Sequence, residues 1–267
     1  MFDVNIWMLN HRLEIAMFNG RSVLVAGASS DIGLALLDLL IRDGWRIGAH
    51  CHRGSDRFTK VLDDASKTDG KLKIMQHDLR SQYDCHRLVD DFAEWAGGID
   101  ALVQMTGNVC RLSNWEDLKE SEWHADMAVN LSGPFFLAQR AFWYMKQQCR
   151  GRIILMSTAS AAHGGGQDTL AYGVAKAGIE CLIKGLAKGG ADHNILVNAL
   201  APGFIDTRFH KYNLGRSKEL MNQRARLVPL KRAGRPEDVA HMAEFLLSEG
   251  GNFITGEVIT ISGGDWL

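Results

Sequence analysis

From residue 22 onward, short and almost unbroken apolar runs alternate with longer stretches in which apolar positions recur every three to four residues. The short runs cover 22–26, 46–51, 72–77, 101–105, 152–157, 195–200 and 258–261. Runs of that length and continuity are what a parallel strand shows when helices cover both of its faces. Between the first two, Ile32, Leu36, Leu37, Leu40 and Ile41 fall on one helical face, and Asp43-Gly44 supplies a stop. That is one strand–helix–strand unit. Further helices are predicted over 57–65, 81–95, 121–148, 171–188 and 236–247, the last with Pro236 in its first turn. Seven strands and six helices in this alternation predict an α/β fold: a doubly wound, mostly parallel seven-stranded sheet of the Rossmann type with helices on both faces.

Composition adds little that would divide the chain. Its 267 residues are 46% hydrophobic, enough for one large core, and the four prolines at 134, 202, 229 and 236 are scattered. No linker-like tract interrupts it, so one domain is expected over 17–267. Residues 1–16 mix Asp3, His11, Arg12 and Glu14 with Ile6, Trp7, Met8 and Leu9, and lack the basic start and apolar core of a signal peptide. They are expected to form a poorly ordered N-terminal extension. A net charge of −1 gives no electrostatic reason to expect nucleic acid or a membrane surface as partner. No run of about 20 apolar residues could span a bilayer. Cysteines 51, 85, 110, 149 and 181 are odd in number and widely spaced, which argues against a disulfide framework or a metal site and for a cytoplasmic location.

Sheets of this kind bind ligands beyond the carboxyl ends of their strands, so the loops there carry the candidate chemistry. After the first strand, Ala26-Gly-Ala-Ser-Ser-Asp-Ile-Gly33 leads small residues straight into a helix, where backbone N–H groups can approach a pyrophosphate; Gly27, Ser29, Ser30, Ile32 and Gly33 are the expected contacts. At the end of the second strand no acidic residue awaits the ribose 2′-hydroxyl of NAD. His52 and Arg53 stand there instead, and a guanidinium suits a 2′-phosphate, so NADP(H) is favoured with NAD(H) as the alternative. Asp78, with Leu79 beside it, is placed to accept from the adenine amino group or to cap the helix that starts near Ser81. Tyr172 and Lys176 are four apart on a predicted helix and therefore share a face, where an ammonium would draw a phenol toward acid–base chemistry near neutral pH.

Six segments, in order, give the chain from 17 to 267 its resemblance to the short-chain dehydrogenase/reductase family, closest in character to the 3-oxoacyl-acyl-carrier-protein reductase branch. They are Gly27-x-x-x-Asp31-x-Gly33, Gln104-Met-Thr-Gly107, Asn130-Leu-Ser-Gly-Pro-Phe135, Tyr172-x-x-x-Lys176, the stretch from Asn198 to Thr207, and Gly256-x-x-x-x-x-x-Gly263-Gly264. The resemblance implies that Tyr172 passes a proton to a substrate carbonyl oxygen, that Lys176 tunes it and holds the nicotinamide ribose, and that Asn130 fixes a relay water where the long helix is disturbed. Gly107 would let the ring approach; Pro202, Gly203, Ile205 and Thr207 would hold its carboxamide end. It also implies a homo-oligomer, a dimer or a tetramer, built through the helices over 121–148 and 171–188.

The chain departs from the family pattern in places. The carbonyl-polarising serine falls on Thr158 counting from the fifth strand, with Ser160 as the second choice, and an extra residue near His163-Gly-Gly-Gly166 accounts for the offset. Asp31 stands where a glycine is usual and is expected to cap its helix. Gln104, Met105 and Thr106 replace Asn-Asn-Ala beside the cofactor. A lid is expected near 204–228, and the stretch from Arg208 to Arg235 holds nine Lys and Arg against Glu219 alone, which could steer an acidic carrier protein or an anionic substrate. The leading expectation is an NADP-dependent oxidoreductase acting on a carbonyl or secondary alcohol, such as a small-molecule or carrier-bound 3-oxoacyl thioester. Alternatives are a sugar or polyol dehydrogenase and a catalytically weak NADP-binding sensor or scaffold.

Overall fold

Alternation within single strands divides the core into two layers, one on each side of a central sheet. In β1 (Ser22–Ala26), Val23 and Val25 point into one apolar cluster while Leu24 and Ala26 point into the other, and all four are fully buried. The computed structural model describes residues 21–53, 55–58, 70–166 and 168–265. Among these, β1 is joined by β2 (Arg46–Cys51), β3 (Leu72–Gln76), β4 (Ala101–Gln104), β5 (Gly151–Met156), β6 (Ile195–Pro202) and β7 (Val258–Ile261). The seven strands are parallel throughout, in the order β3-β2-β1-β4-β5-β6-β7. The chain therefore reverses direction across the sheet between β1 and β4, which opens a crevice at their carboxyl ends.

Helices α1 (Asp31–Arg42) and α7 (Pro236–Leu247) cover one face through Leu36, Leu37, Leu40, Val239 and Leu246. On the other face lie α2 (Gln82–Ala96), α4 (Gly133–Gln148) and α5 (Leu170–Gly190), contributing Leu88, Phe92, Leu137, Ile179 and Ile183. Burying each such side chain stabilises the fold by roughly 1.5–3 kcal/mol. A short α6 (Lys218–Leu227) follows β6 and has no buried residue.

The single helix predicted over 121–148 is in fact two. Helix α3 (Glu120–Met127) runs into a π-turn at Ala128–Ser132, and α4 begins only at Gly133. Pro134 supplies the cause, since it has no N–H to return to the carbonyl of Asn130 and cannot sit in an unbroken α-helical ladder. Close packing adds to it: a Cβ on Gly133 would lie 2.4 Å from the carbonyl oxygen of Leu79. The helix predicted over 57–65 starts as a 3₁₀ turn at Ser55–Phe58, and the remainder lies outside the described residues, as does the N-terminal extension 1–16. No helix among the described residues is long and apolar enough to cross a membrane.

Candidate active site

The crevice at the carboxyl edge is a cleft of about 980 Å³, and nearly all of the residues expected from the sequence border it. Its floor is the loop from β1 to α1. Gly27 has φ +82°, and a Cβ there would come within 2.7 Å of Thr106 Cγ2; one on Gly33 would meet the carbonyl oxygens of Gly27 and Ala28, each at 2.7 Å. Ser29, Ser30 and Ile32 line the cleft. Ser30, not Asp31, caps α1: its hydroxyl accepts from the Gly33 N–H at 2.9 Å. Asp31 is already inside the first turn, so its carboxylate turns outward and takes two other partners. Arg57 donates to it at 2.6 Å, and the backbone N–H of Arg208 donates at 2.6 Å from across the cleft. Arg57 also donates to the carbonyl of Ser29. The acidic group that replaces a glycine is thus compensated, and small residues at a helix start leave room for a dinucleotide phosphate.

His50, at the end of β2, is a site residue that the apolar pattern conceals. It is 1% exposed, its Nδ1 accepts from the Gly27 N–H at 3.1 Å, and its Nε2–H donates to the carbonyl of His77 at 3.1 Å. Burial lowers its pKa to about 4, so it stays neutral and fixes the turn. Arg53 is exposed on the cleft wall. Asp78 faces the same wall but is held by Arg80, whose Nε lies 2.9 Å from both carboxylate oxygens; that bond holds its carboxyl down at about 2. The helix beyond it is capped by Ser81, which rules out the capping alternative for Asp78. Leu79 is buried, and its backbone borders the start of α4.

Tyr172 and Lys176 sit on α5 as their spacing predicts, but burial governs both. Lys176 is 0% exposed; its Nζ donates to the carbonyls of Met156 at 2.9 Å and Thr106 at 3.3 Å, and desolvation lowers its pKa to about 7. The Nζ is 5.7 Å from the Tyr172 ring centre. Burial likewise raises the Tyr172 phenol, opposed by a side-chain hydrogen bond with Thr158. The phenol is only half-buried and keeps an edge on the cleft. Thr158 therefore stands in the position next to Tyr172, and Ser160 stands behind it, its hydroxyl 3.2 Å from that of Thr158.

Asn130 is fully buried inside the π-turn. Its Oδ1 accepts from the Asn108 N–H at 3.0 Å, while its Nδ2 donates to the carbonyls of Asn108 at 2.7 Å and Asp126 at 2.9 Å. Gly107 lies between it and Lys176: a Cβ there would be 3.7 Å from Asn130 Oδ1 and 3.6 Å from Lys176 Nζ. In the altered segment, Gln104 braces the strand end. Its Nε2 donates to the Thr106 carbonyl at 2.8 Å, and its Oε1 accepts from the Met156 N–H at 3.2 Å, tying β4 to β5.

Pro202 closes β6, and Gly203, Ile205 and Thr207 follow along the opposite wall. Close contact shapes this wall, for a Cβ on Gly203 would lie 2.7 Å from Ser262 Cβ. Beyond it a π-turn at Phe209–Asn213 stacks Phe209 on Tyr172, ring centres 5.8 Å apart. Asn213 donates to Asn108 Oδ1 at 2.5 Å, so the residue pinned by Asn130 also holds the segment after β6.

A parallel sheet with a glycine-shaped loop at its crossover, and a tyrosine–lysine pair beside it, define a dinucleotide-dependent α/β enzyme. Comparison with known proteins makes this specific. A family model described as Enoyl-(Acyl carrier protein) reductase matches residues 27–265. A probable 2,4-dienoyl-CoA reductase of Bacillus subtilis is 31% identical over 250 residues, which is 92% of this chain and 97% of that protein. The 3-oxoacyl-(acyl-carrier-protein) reductase FabG of Thermotoga maritima is 32% identical over 245 residues, 92% of this chain and 97% of the relative. Among solved structures, a variant of a Serratia marcescens short-chain dehydrogenase/reductase superposes with a TM-score of 0.82 at 26% identity, covering 92% of this chain and 97% of that one. The chain belongs to the short-chain dehydrogenase/reductase family and is an oxidoreductase that uses a nicotinamide cofactor.

Proposed function

We propose that this enzyme uses NADP(H) to interconvert a carbonyl and a secondary alcohol, its substrate being a 3-oxoacyl thioester or a similar β-keto compound. The observation that carries the reading is the Tyr172 phenol, held protonated by its surroundings, facing the cleft with Thr158 beside it and the buried Lys176 one turn on. When bound, the nicotinamide supplies the hydride for the carbonyl carbon, or accepts it in the reverse direction. Tyr172 gives its proton to the carbonyl oxygen, and Thr158 donates a second hydrogen bond there. Lys176, with its pKa near 7, gains and loses a proton over the working range, which suits it to replenish the phenol by way of the polar groups at Asn130.

Gly27, Ser29, Ser30, Ile32 and Gly33 are proposed to cradle the dinucleotide phosphates, with Asp78 and Leu79 beside the adenine and Pro202, Gly203, Ile205 and Thr207 beside the nicotinamide. NADP is preferred because Arg53 lines the wall where an acidic residue would select NAD, and Arg57 adds a second cation nearby. Acyl thioesters are suggested by the names of the relatives. The test is oxidation of NADPH and of NADH against acetoacetyl thioesters, simple ketones and sugars. Turnover should be faster with NADPH, and Tyr172→Phe should abolish it while leaving cofactor binding intact; Arg53→Asp should move the preference toward NADH. Equal turnover by Tyr172→Phe would remove the proton-donor role, and an unchanged cofactor ratio would remove that of Arg53.

A further inference from the structure

The segment after β6 brings to the cleft a guanidinium that has no partner among the described residues. Arg216 is half-buried and lines the cleft, yet among the described residues its side chain donates to no carboxylate or carbonyl and lies over no aromatic face. Its neighbour Arg224 is bound at 2.5 Å by Asp265, which is itself buried, and lies over the Phe204 ring with Cζ 5.6 Å from its centre. Between them sits His210, whose Nδ1 is buried without a hydrogen-bond partner and whose backbone carbonyl accepts from the Arg216 N–H at 3.1 Å. Both residues line one cleft, and the buried ring nitrogen is costly unless something polar completes it.

Ring contacts place this cluster close to the reacting position. His210 packs on Phe209 at 5.7 Å between centres, and Phe209 packs on Tyr172 at 5.8 Å. We infer that Arg216, together with His210 Nδ1, is an anion subsite that receives a carboxylate carried by the substrate near its reacting carbonyl. One guanidinium beside an uncharged imidazole matches a monoanionic carboxylate better than a dianionic phosphate. His210 remains neutral because burial and the two arginines lower its pKa to about 4, so it offers an uncharged N–H to one carboxylate oxygen while the guanidinium takes the other. This deepens the proposed function and rests on it, selecting among its β-keto compounds those that also carry a free carboxylate, of which a 3-oxo acid is the simplest.

Acetoacetate, its methyl ester and acetonylphosphonate test the subsite, with kcat/KM measured by NADPH oxidation. Binding to the NADP-saturated enzyme is measured in parallel by calorimetry. The native enzyme should prefer the acid to the ester, and Arg216→Met should shrink that preference by about 10- to 100-fold, the usual worth of a charge-assisted bond. Arg216→Lys should restore part of it, and His210→Gln should weaken acid binding by a smaller factor. Tyr172→Phe separates the two ideas, since it should stop turnover while the Arg216-dependent preference for binding the acid over the ester persists. Arg216-dependent binding of the acid without turnover of either compound would sustain the subsite and sink the β-keto reductase reading. Equal use and equal binding of acid and ester by the native enzyme, or an Arg216→Met variant with unaltered preference, would overturn the subsite whatever becomes of that reading. Tighter binding of acetonylphosphonate than of acetoacetate would overturn the carboxylate assignment in favour of a phosphoryl group.

Discussion

Thr158 and Ser160 lie within one hydrogen bond of each other, but only Thr158 also touches Tyr172. A hydroxyl that polarises the substrate carbonyl must sit beside the proton donor, so Thr158→Val is expected to lower kcat by about 100-fold, in line with the loss of one oxyanion donor. Ser160→Ala should act weakly, through the orientation of Thr158 alone. Steady-state kinetics of the two variants decide the matter, and a larger loss from the serine would reverse the assignment. At this scale the sequence was informative where chemistry follows from spacing. Tyr172 and Lys176 share a face because a helix has 3.6 residues per turn, whatever surrounds it. The direction of the tyrosine shift did not follow from spacing: an ammonium alone would pull the phenol down, whereas desolvation, which depends on the whole fold, pushes it up. Arg216 and His210 were invisible as a pair for the same reason. They are six residues apart, and it is the fold, with the His210 ring packed on Phe204 and Phe209, that brings both to one cleft.

Elements with a plain apolar period were legible almost to the residue; β1, β2, β7 and α7 begin and end where the pattern predicts. The long helix over 121–148 was not, because a π-turn leaves no periodic mark and reveals itself only through Asn130 and Pro134. The end of β2 shows a second blind spot. His50 reads as an ordinary inward strand position, yet its ring holds the turn between β1 and α1 by accepting the Gly27 N–H. That arrangement makes the element sensitive to acid. The folded chain resists protonating His50 until about pH 4, whereas the unfolded chain takes up the proton near 6.5, so stability present above 6.5 is lost as the pH falls toward 4. The loss is on the order of 3 kcal/mol. A His50→Gln variant can accept from Gly27 and donate to His77 without titrating, so its urea midpoint should fall less than that of the native protein between pH 6.5 and 4. Parallel midpoints for the two proteins would show that the acid response lies elsewhere.

Across the whole molecule, the strand order sets the crevice and the segment after β6 lines one wall of it, and the two are joined by contacts that no local pattern encodes. The Arg208 N–H and Asp31 are 177 residues apart, yet their bond ties the segment after β6 to the start of α1 on the floor of the cleft. Arg57, from the segment after β2, completes this junction. Sequence placed Asp31 at the start of the first helix as its cap; the fold instead pairs it with two cations drawn from distant segments, Arg57 at 2.6 Å and the Arg208 guanidinium at 3.7 Å. One consequence is that Arg57 and Arg208 are held by Asp31 and so are only partly available to an anionic cofactor. Asp31→Asn keeps the hydrogen-bonding shape and removes the charge, so it should tighten NADPH binding by about two- to fivefold at low ionic strength, the range set by a partly exposed ion pair. The gain should shrink as added salt screens the freed guanidiniums. Fluorescence titrations of NADPH at low and at high salt measure both effects. Weaker binding of Asp31→Asn at every salt concentration would mean that the carboxylate acts chiefly by holding the segment after β6 in place, with its charge of little account.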